Sequence, residues 1–235
     1  MYKREFLKQA FSLYNINLNE TQIDKFLQFY DFLIEENQKF NLTAITDFEE
    51  VVYKHFIDSV LPHKNFKQNS LVVDVGSGAG FPAIPLKILR DDLKIVMVDS
   101  LNKRVNFLNQ VITLLSLKNI SAIHARVEDF AKSNFEKFDY ALSRAVAQTP
   151  TLSEYLLPLV KVGGYAVMYK SQKLEEELSV SEKAISVLGG KIDRIEKFEI
   201  KEFLSLRKIL YLLKLKNTPK LYPRGKNLPK TKPIA

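Results

Sequence analysis

Apolar residues first recur at helical spacing and then in short bursts. Ile23, Phe26, Leu27, Tyr30, Leu33 and Ile34 share one helical face. Asn19 stands at the start of that helix with Gln22 three residues on, the arrangement of a capping box. A shorter helix is predicted from Asp47 to Leu61, ending at Pro62, with the polar loop Phe40-Asn41-Leu42-Thr43 before it. Nothing before residue 65 reads as a strand.

The rhythm changes at Leu71. Apolar runs at Leu71–Val75, Ile95–Val98, Ile120–His124, Tyr140–Ser143 and Tyr165–Tyr169 predict strands. Helical patterns at Pro85–Leu89, Val105–Leu117 and Leu152–Val160 alternate with them, and a charged helix follows as far as Leu188. This alternation predicts an α/β fold, a doubly wound and mostly parallel sheet covered on both faces. Ile192–Ile200 and Leu206–Leu215 have no long helix between them and suggest an antiparallel pair closing the sheet. The expected organisation is a helical extension (1–65), an α/β domain (66–216) and a tail (217–235). The tail holds four prolines and no acidic residue, and it reads as extended.

Composition adds limits. With no Cys among 235 residues, disulfides and thiolate metal sites are impossible, which suits a reducing compartment. The N-terminus is amphipathic rather than leader-like, and no apolar run spans a bilayer, so a cytoplasmic monomer with no membrane partner is expected. The net charge is +8, and the tail holds five of the cations, Lys220, Arg224, Lys226, Lys230 and Lys232. Prolines that keep such a tail extended would let it track a phosphate backbone, although a solvated, disordered end is the commoner fate of such termini.

The candidate chemistry lies in Val72-Val73-Asp74-Val75-Gly76-Ser77-Gly78-Ala79-Gly80-Phe81-Pro82, a strand running into a glycine-rich turn. Glycines let backbone approach a ligand closely. The spacing is Gly-x-Gly-x-Gly, not the Gly-x-Gly-x-x-Gly that seats a pyrophosphate on a helix N-terminus. S-adenosylmethionine has no phosphate, so its loop need only pass beneath the methionine and ribose. Asp99 ends the second strand, 23 residues after Gly76, where a carboxylate can accept from ribose hydroxyls. Val127-Glu128 follows the third strand, and a carboxylate beside a backbone N–H complements the adenine N6/N1 edge. In this order the three features favour the methyl donor over a nicotinamide or flavin.

Absences narrow the methyl acceptor. Attack on pyrimidine C5 needs a covalent nucleophile, usually a thiolate, which this chain lacks. The Asn/Asp-Pro-Pro-aromatic motif common in exocyclic-amine methylation is replaced after the fourth strand by Leu142-Ser143-Arg144-Ala145. His55, His63 and His124 have no metal-ligand spacing, so no metal is expected, and His55 with Asp58 reads as a structural pair. Guanine N7 needs neither base, thiol nor metal, which permits it as acceptor without selecting it. A small-molecule methyltransferase and a noncatalytic nucleic-acid-binding protein stay open at this point. Arg126, Arg144 and Lys170 near strand ends favour RNA over a small acceptor.

Several motifs, in order, resemble the RsmG (GidB) family of bacterial small-subunit ribosomal RNA guanine-N7 methyltransferases. They are Asn41-Leu42-Thr43, His55-Phe56-Ile57-Asp58-Ser59, Asp74 to Leu86, Asp99 to Arg104, Arg126-Val127-Glu128 and Ser143-Arg144-Ala145. The resemblance implies a Rossmann-like class I fold and N7 methylation of one guanine in 16S ribosomal RNA, free or within the small subunit. It also implies that Gly76, Phe81, Val127, Glu128 and Arg144 contact the cofactor. With Gly78 and Asp99 from the loop argument, these are the candidate site residues, and Arg144 is the candidate catalytic one. The chain departs from the family pattern at Pro82-Ala83, where Pro-Gly is usual, and at Asn227, where a glycine often stands.

Overall fold

The computed structural model describes residues 1–170, 174–200 and 205–234. Two helices open the chain, α1 (Tyr2–Ser12) and α2 (Glu20–Phe40). The expected capping box starts α2: Asn19 Oδ1 accepts from Gln22 N, and Gln22 Oε1 accepts from Asn19 N. Asn41 in the left-handed conformation ends it. The helix expected over Asp47–Leu61 forms as α3 (Phe48–Val51), a π-helical segment (Val52–Ile57) and α4 (Asp58–Val60).

Five parallel strands follow: β1 (Leu71–Val75), β2 (Lys94–Asp99), β3 (Ile120–His124), β4 (Phe138–Arg144) and β5 (Val160–Lys170). β6 (Gly190–Ile200) and β7 (Ser205–Lys214) form the expected antiparallel pair, giving the order β3-β2-β1-β4-β5-β7-β6. The connecting helices are α5 (Ala83–Leu89), α6 (Asn102–Leu114), α7 (Val127–Ser133), α8 (Thr149–Leu156), α9 (Leu174–Ser179) and α10 (Glu182–Val187). The mostly parallel, doubly wound reading therefore holds. The sequence reading omits α7, whose seven residues give barely two turns of periodicity. The charged helix leading to Leu188 is two helices, broken at Val180-Ser181, and the stretch 171–173 before it lies outside the described residues.

Alternate strand residues enter separate cores, because successive side chains of a strand point to opposite faces. Val72, Leu142, Val167 and Tyr211 join one cluster, while Val73, Ala141, Ala166 and Leu212 join the other. The first cluster also contains Phe11, Phe26, Phe29, Leu33 and Phe56 of the N-terminal helices. The helical extension thus packs on one face of the sheet. An aromatic chain runs from Phe26 through Phe56 and Phe29 to Phe81 in the glycine-rich turn, with centroid separations of 5.0, 5.7 and 5.4 Å.

The tail is not extended, which corrects the sequence reading. Thr218 N donates to Glu136 (2.7 Å) and Thr218 Oγ1 to the Leu188 carbonyl (2.6 Å). Arg224 pairs with Glu154 of α8, and a last short helix, α11 (Leu228–Thr231), lies on α8 with the Pro229 carbonyl accepting from Thr151 Oγ1 at 2.9 Å. Lys220 sits over the Phe135 ring. The expectation of an extended arm fails because the buried Glu154 and the half-buried Glu136 give the tail's donors fixed partners. Only its final residue, 235, lies outside the described residues.

Candidate active site

A cavity of about 540 Å³ opens at the C-terminal ends of β1, β2 and β4, the usual ligand position in open α/β sheets. All seven candidate residues line it: Gly76, Gly78, Phe81, Asp99, Val127, Glu128 and Arg144. Gly76, just after β1, anchors the turn by donating to the Val98 carbonyl of β2 at 2.8 Å. Its φ of +74° suits glycine, and a Cβ there would stand 2.4 Å from Val146 Cγ2. At Gly78 a Cβ would meet only the Gly76 carbonyl, at 3.9 Å, so the turn leaves open space there for a ligand.

Asp99 ends β2 with both oxygens engaged: Oδ2 accepts from Gly78 N and Oδ1 from Leu101 N, each at 2.9 Å. Arg104 adds an ion pair at 3.6 Å. Asp99 therefore shapes the glycine turn, and any ribose contact must use its remaining lone pairs. Val127 and Glu128 form the first turn of α7. Glu128 is buried, and its Oε1 has no hydrogen-bond partner among the described residues. A buried carboxylate oxygen without a donor is costly. Facing a cavity, it suits a ligand N–H such as the adenine amine.

Asp74 lies one residue before the end of β1, and neither carboxylate oxygen has a hydrogen-bond partner among the described residues. Burial pushes its carboxyl up to about 7. The Ser77 hydroxyl donates to the Asp74 carbonyl (3.0 Å), and the Arg144 charge opposes the shift only in part.

Arg144 ends β4 and crosses to the N-terminal helices. Its Nη1 donates to Asp58 Oδ2 (2.7 Å) and to the Lys54 carbonyl (3.2 Å), while the guanidinium lies 5.1 Å from the centroid of the Phe81 ring. Asp58 also pairs with Arg207 at 3.1 Å. β7 is antiparallel, so it brings its beginning, where Arg207 stands, to the end of the sheet where β4 and β5 finish. His55 stacks on Phe81 at 4.4 Å, with Nε2 2.9 Å from Thr43 Oγ1 and Nδ1 within 3.2 Å of the Arg144 guanidinium. Burial first, and then the Arg144 charge, push His55 down to about 3, so the ring is neutral. The sequence expectation of a His55–Asp58 pair becomes a cluster in which Arg144 joins the two. A second cavity of about 370 Å³ adjoins the first across His55, Arg144, Ala145 and Ala147, and Lys54, Lys170 and Arg207 line it. Among the described residues no group of three His, Cys, Asp or Glu could hold a metal ion.

The sequence reading did not place Leu42, Thr43 and His55, Tyr155 of α8, or Asn227 and Lys230 of the tail in this cavity. Leu42, Thr43 and His55 stand in motifs quoted for the family resemblance, and Asn227 and Lys230 enter that reading only as a departure from the family pattern and as a tail cation; nothing local marks Tyr155.

The family model for rRNA small subunit methyltransferase G, GidB, matches residues 22–210. The chain belongs to this family. A ribosomal RNA small subunit methyltransferase G from Lachnoclostridium phytofermentans is 49% identical over 223 residues, covering 93% of this chain and 92% of that protein. One from Staphylococcus aureus strain Newman is 46% identical and covers 98% of both chains. Solved structures share the fold at low identity. P. horikoshii TYW2 in complex with MeSAdo has a TM-score of 0.55 at 20% identity, covering 67% of this chain and 61% of that one. A SAM dependent methyltransferase from Aquifex aeolicus has a TM-score of 0.50 at 18% identity, covering 70% and 93%. The family's match begins inside α2, so the helical extension that carries His55 and Asp58 lies largely within it.

Proposed function

We propose that this chain transfers the methyl group of S-adenosylmethionine to N7 of a guanine in 16S ribosomal RNA. The observation that carries the reading is the cavity over the Gly76–Gly80 turn, with the unpartnered Glu128 oxygen inside it and, beyond Arg144, a second cavity lined by Lys54, Lys170 and Arg207 with the carboxylates Asp58 and Glu177. Glu128 would accept from the adenine amine, Val127 would cover the ring, and Gly76 and Gly78 would let the methionine pass close to backbone. When bound, the cofactor supplies an electrophilic methyl on its sulfonium. Guanine N7 carries an in-plane lone pair and no proton, so the protein's task is alignment and exclusion of water rather than proton removal. The neutral His55 ring and Phe81 form an apolar stack where water must be kept out. Arg144, fixed by Asp58, would present its remaining donors to O6 beside N7.

The test is transfer of labelled methyl from S-adenosylmethionine to free 16S ribosomal RNA and to small subunits, with the modified nucleoside identified by mass spectrometry. 7-Methylguanosine at one position is expected, with strong loss of turnover in a folded Arg144→Ala protein. Label in another nucleoside, or none in either RNA form, would overturn the reading.

A further inference from the structure

The tail reaches the cavity just described. Asn227 and Lys230 line it together with Arg126, Glu128 and Tyr155. What holds them there is a buried ion pair. Glu154 is fully buried on α8, and Arg224 meets it three times: N to Oε1 at 2.8 Å, Nε to Oε1 at 2.9 Å and Nη2 to Oε2 at 2.7 Å. A bidentate arginine–carboxylate pair with a backbone donor added fixes both position and orientation of the segment. Arg224 Nη2 also donates to the Lys232 carbonyl (2.9 Å), so a single guanidinium spans the base of α11. Tyr155, next to Glu154, sits in the field of both Glu154 and Glu128, which puts the anchor on the Glu128 side of the cavity.

Such a buried carboxylate is an expensive way to fasten a loose end. Asn227 and Lys230 themselves are exposed, so neither is there to fill a core. Asn227 starts α11 in the left-handed conformation (φ 59°) and makes no side-chain cap bond to that helix. An amide offers a donor and an acceptor, and an ammonium offers three donors, a set complementary to the ring nitrogens and hydroxyls of a nucleoside.

We propose that Asn227 and Lys230 belong to the cofactor site, closing its Glu128 side, and that the Glu154–Arg224 pair is the device that holds them in place. Arg224 is then a positioning residue, and the inference rests on the reading of this cavity as the cofactor site. Lys230 then serves the nucleoside, and Arg224 the anchor, rather than a free RNA-tracking arm.

The test is calorimetric titration of the full-length protein with S-adenosylhomocysteine in the absence of RNA. Asn227→Gly keeps the left-handed backbone while removing the amide. Combined with Lys230→Ala, it is expected to weaken binding by about 3- to 10-fold for each hydrogen bond lost. Arg224→Met should weaken binding in the same range, with partial return in Arg224→Lys, whose single ammonium cannot form the fork. If Arg224→Met unfolds, Glu154→Leu with Arg224→Met removes both charges together and leaves none unpaired. Affinity within about twofold of wild type in a folded Asn227→Gly/Lys230→Ala protein would overturn the assignment. Wild-type affinity in the folded anchor variants would overturn the positioning role. Failure of the unaltered protein to bind S-adenosylhomocysteine would instead overturn the reading of the cavity itself.

Discussion

Replacing Asp74 by Asn removes a carboxyl group that is wholly buried beneath the glycine turn, with no hydrogen-bond partner for either oxygen among the described residues. Its folded-state pKa, about 7, stands above the usual 3.8 because burial disfavours the charge. The folded protein therefore holds this proton where the unfolded chain releases it. Below pH 3.8 both states are protonated and the group contributes nothing. Between 3.8 and 7 each pH unit costs the folded state about 1.4 kcal/mol, and the loss levels off near 4 kcal/mol above pH 7. Asn carries no such proton. The stability of Asp74→Asn relative to wild type should thus climb by about 4 kcal/mol from pH 4 to pH 8. At pH 8 that corresponds to a melting temperature higher by roughly 8–16 °C than the pH 4 difference would give. Urea unfolding of both proteins across this range measures it, and taking the difference cancels every other titrating group. A difference that stays flat with pH would mean that the Asp74 carboxyl titrates normally, and the argument from burial would be wrong.

His55 is expected to act in the opposite sense. Its folded pKa lies near 3, so below pH 6.5 the unfolded chain takes up a proton that the folded one refuses, and stability falls with pH; His55→Gln should remove that slope, and an unchanged slope between pH 6.5 and 4 would refute it. Asp58→Ala leaves the guanidinium groups of Arg144 and Arg207 facing each other without their carboxylate, and should cost about 3 kcal/mol, the lower end for a broken buried pair because Arg207 is partly exposed. A thermal scan showing a cost under about 1 kcal/mol would sink this. Asp99→Ala should weaken S-adenosylhomocysteine binding by about 1.5–3 kcal/mol, by loss of a ribose contact or by release of Gly78; unchanged affinity in calorimetry would remove Asp99 from the site.

The strands and the glycine turn were legible because local chemistry dictates them. Val72, Val73 and Val75 put apolar side chains on both faces of β1, as suits a central parallel strand, and Gly76 has a backbone angle few other residues adopt. Asn19 and Gln22 announced the start of α2 for the same reason. What escaped the sequence depends on pairing at a distance. Glu154 is the one charged residue of α8, and the arrival of Arg224, 70 residues later, gives it a partner. The tail's composition resembles that of disordered ends, yet two acids, the half-buried Glu136 and the buried Glu154, decide its course. Arg144 was found, but not its partner Asp58, which reaches it from a helix 86 residues earlier and which Arg207, on a strand 63 residues after Arg144, also engages.

The position of β7 between β5 and β6 has a consequence for how the molecule is made. β5 can complete its hydrogen bonding only with β7, which leaves the ribosome after β6, while β6 has no neighbour but β7. From the emergence of Lys170 to that of Lys214, one edge of the growing sheet stays open, for a few seconds at roughly 5–20 residues per second. Through this interval Lys214, which donates to the Leu157 carbonyl, has yet to arrive, and Glu154 of α8 waits longer, until Arg224 follows. The nascent chain therefore passes through a stage with an unpaired strand and an unneutralised carboxylate, the sort of species that chaperones hold. It leaves that stage once β7 has paired and Arg224 has reached Glu154.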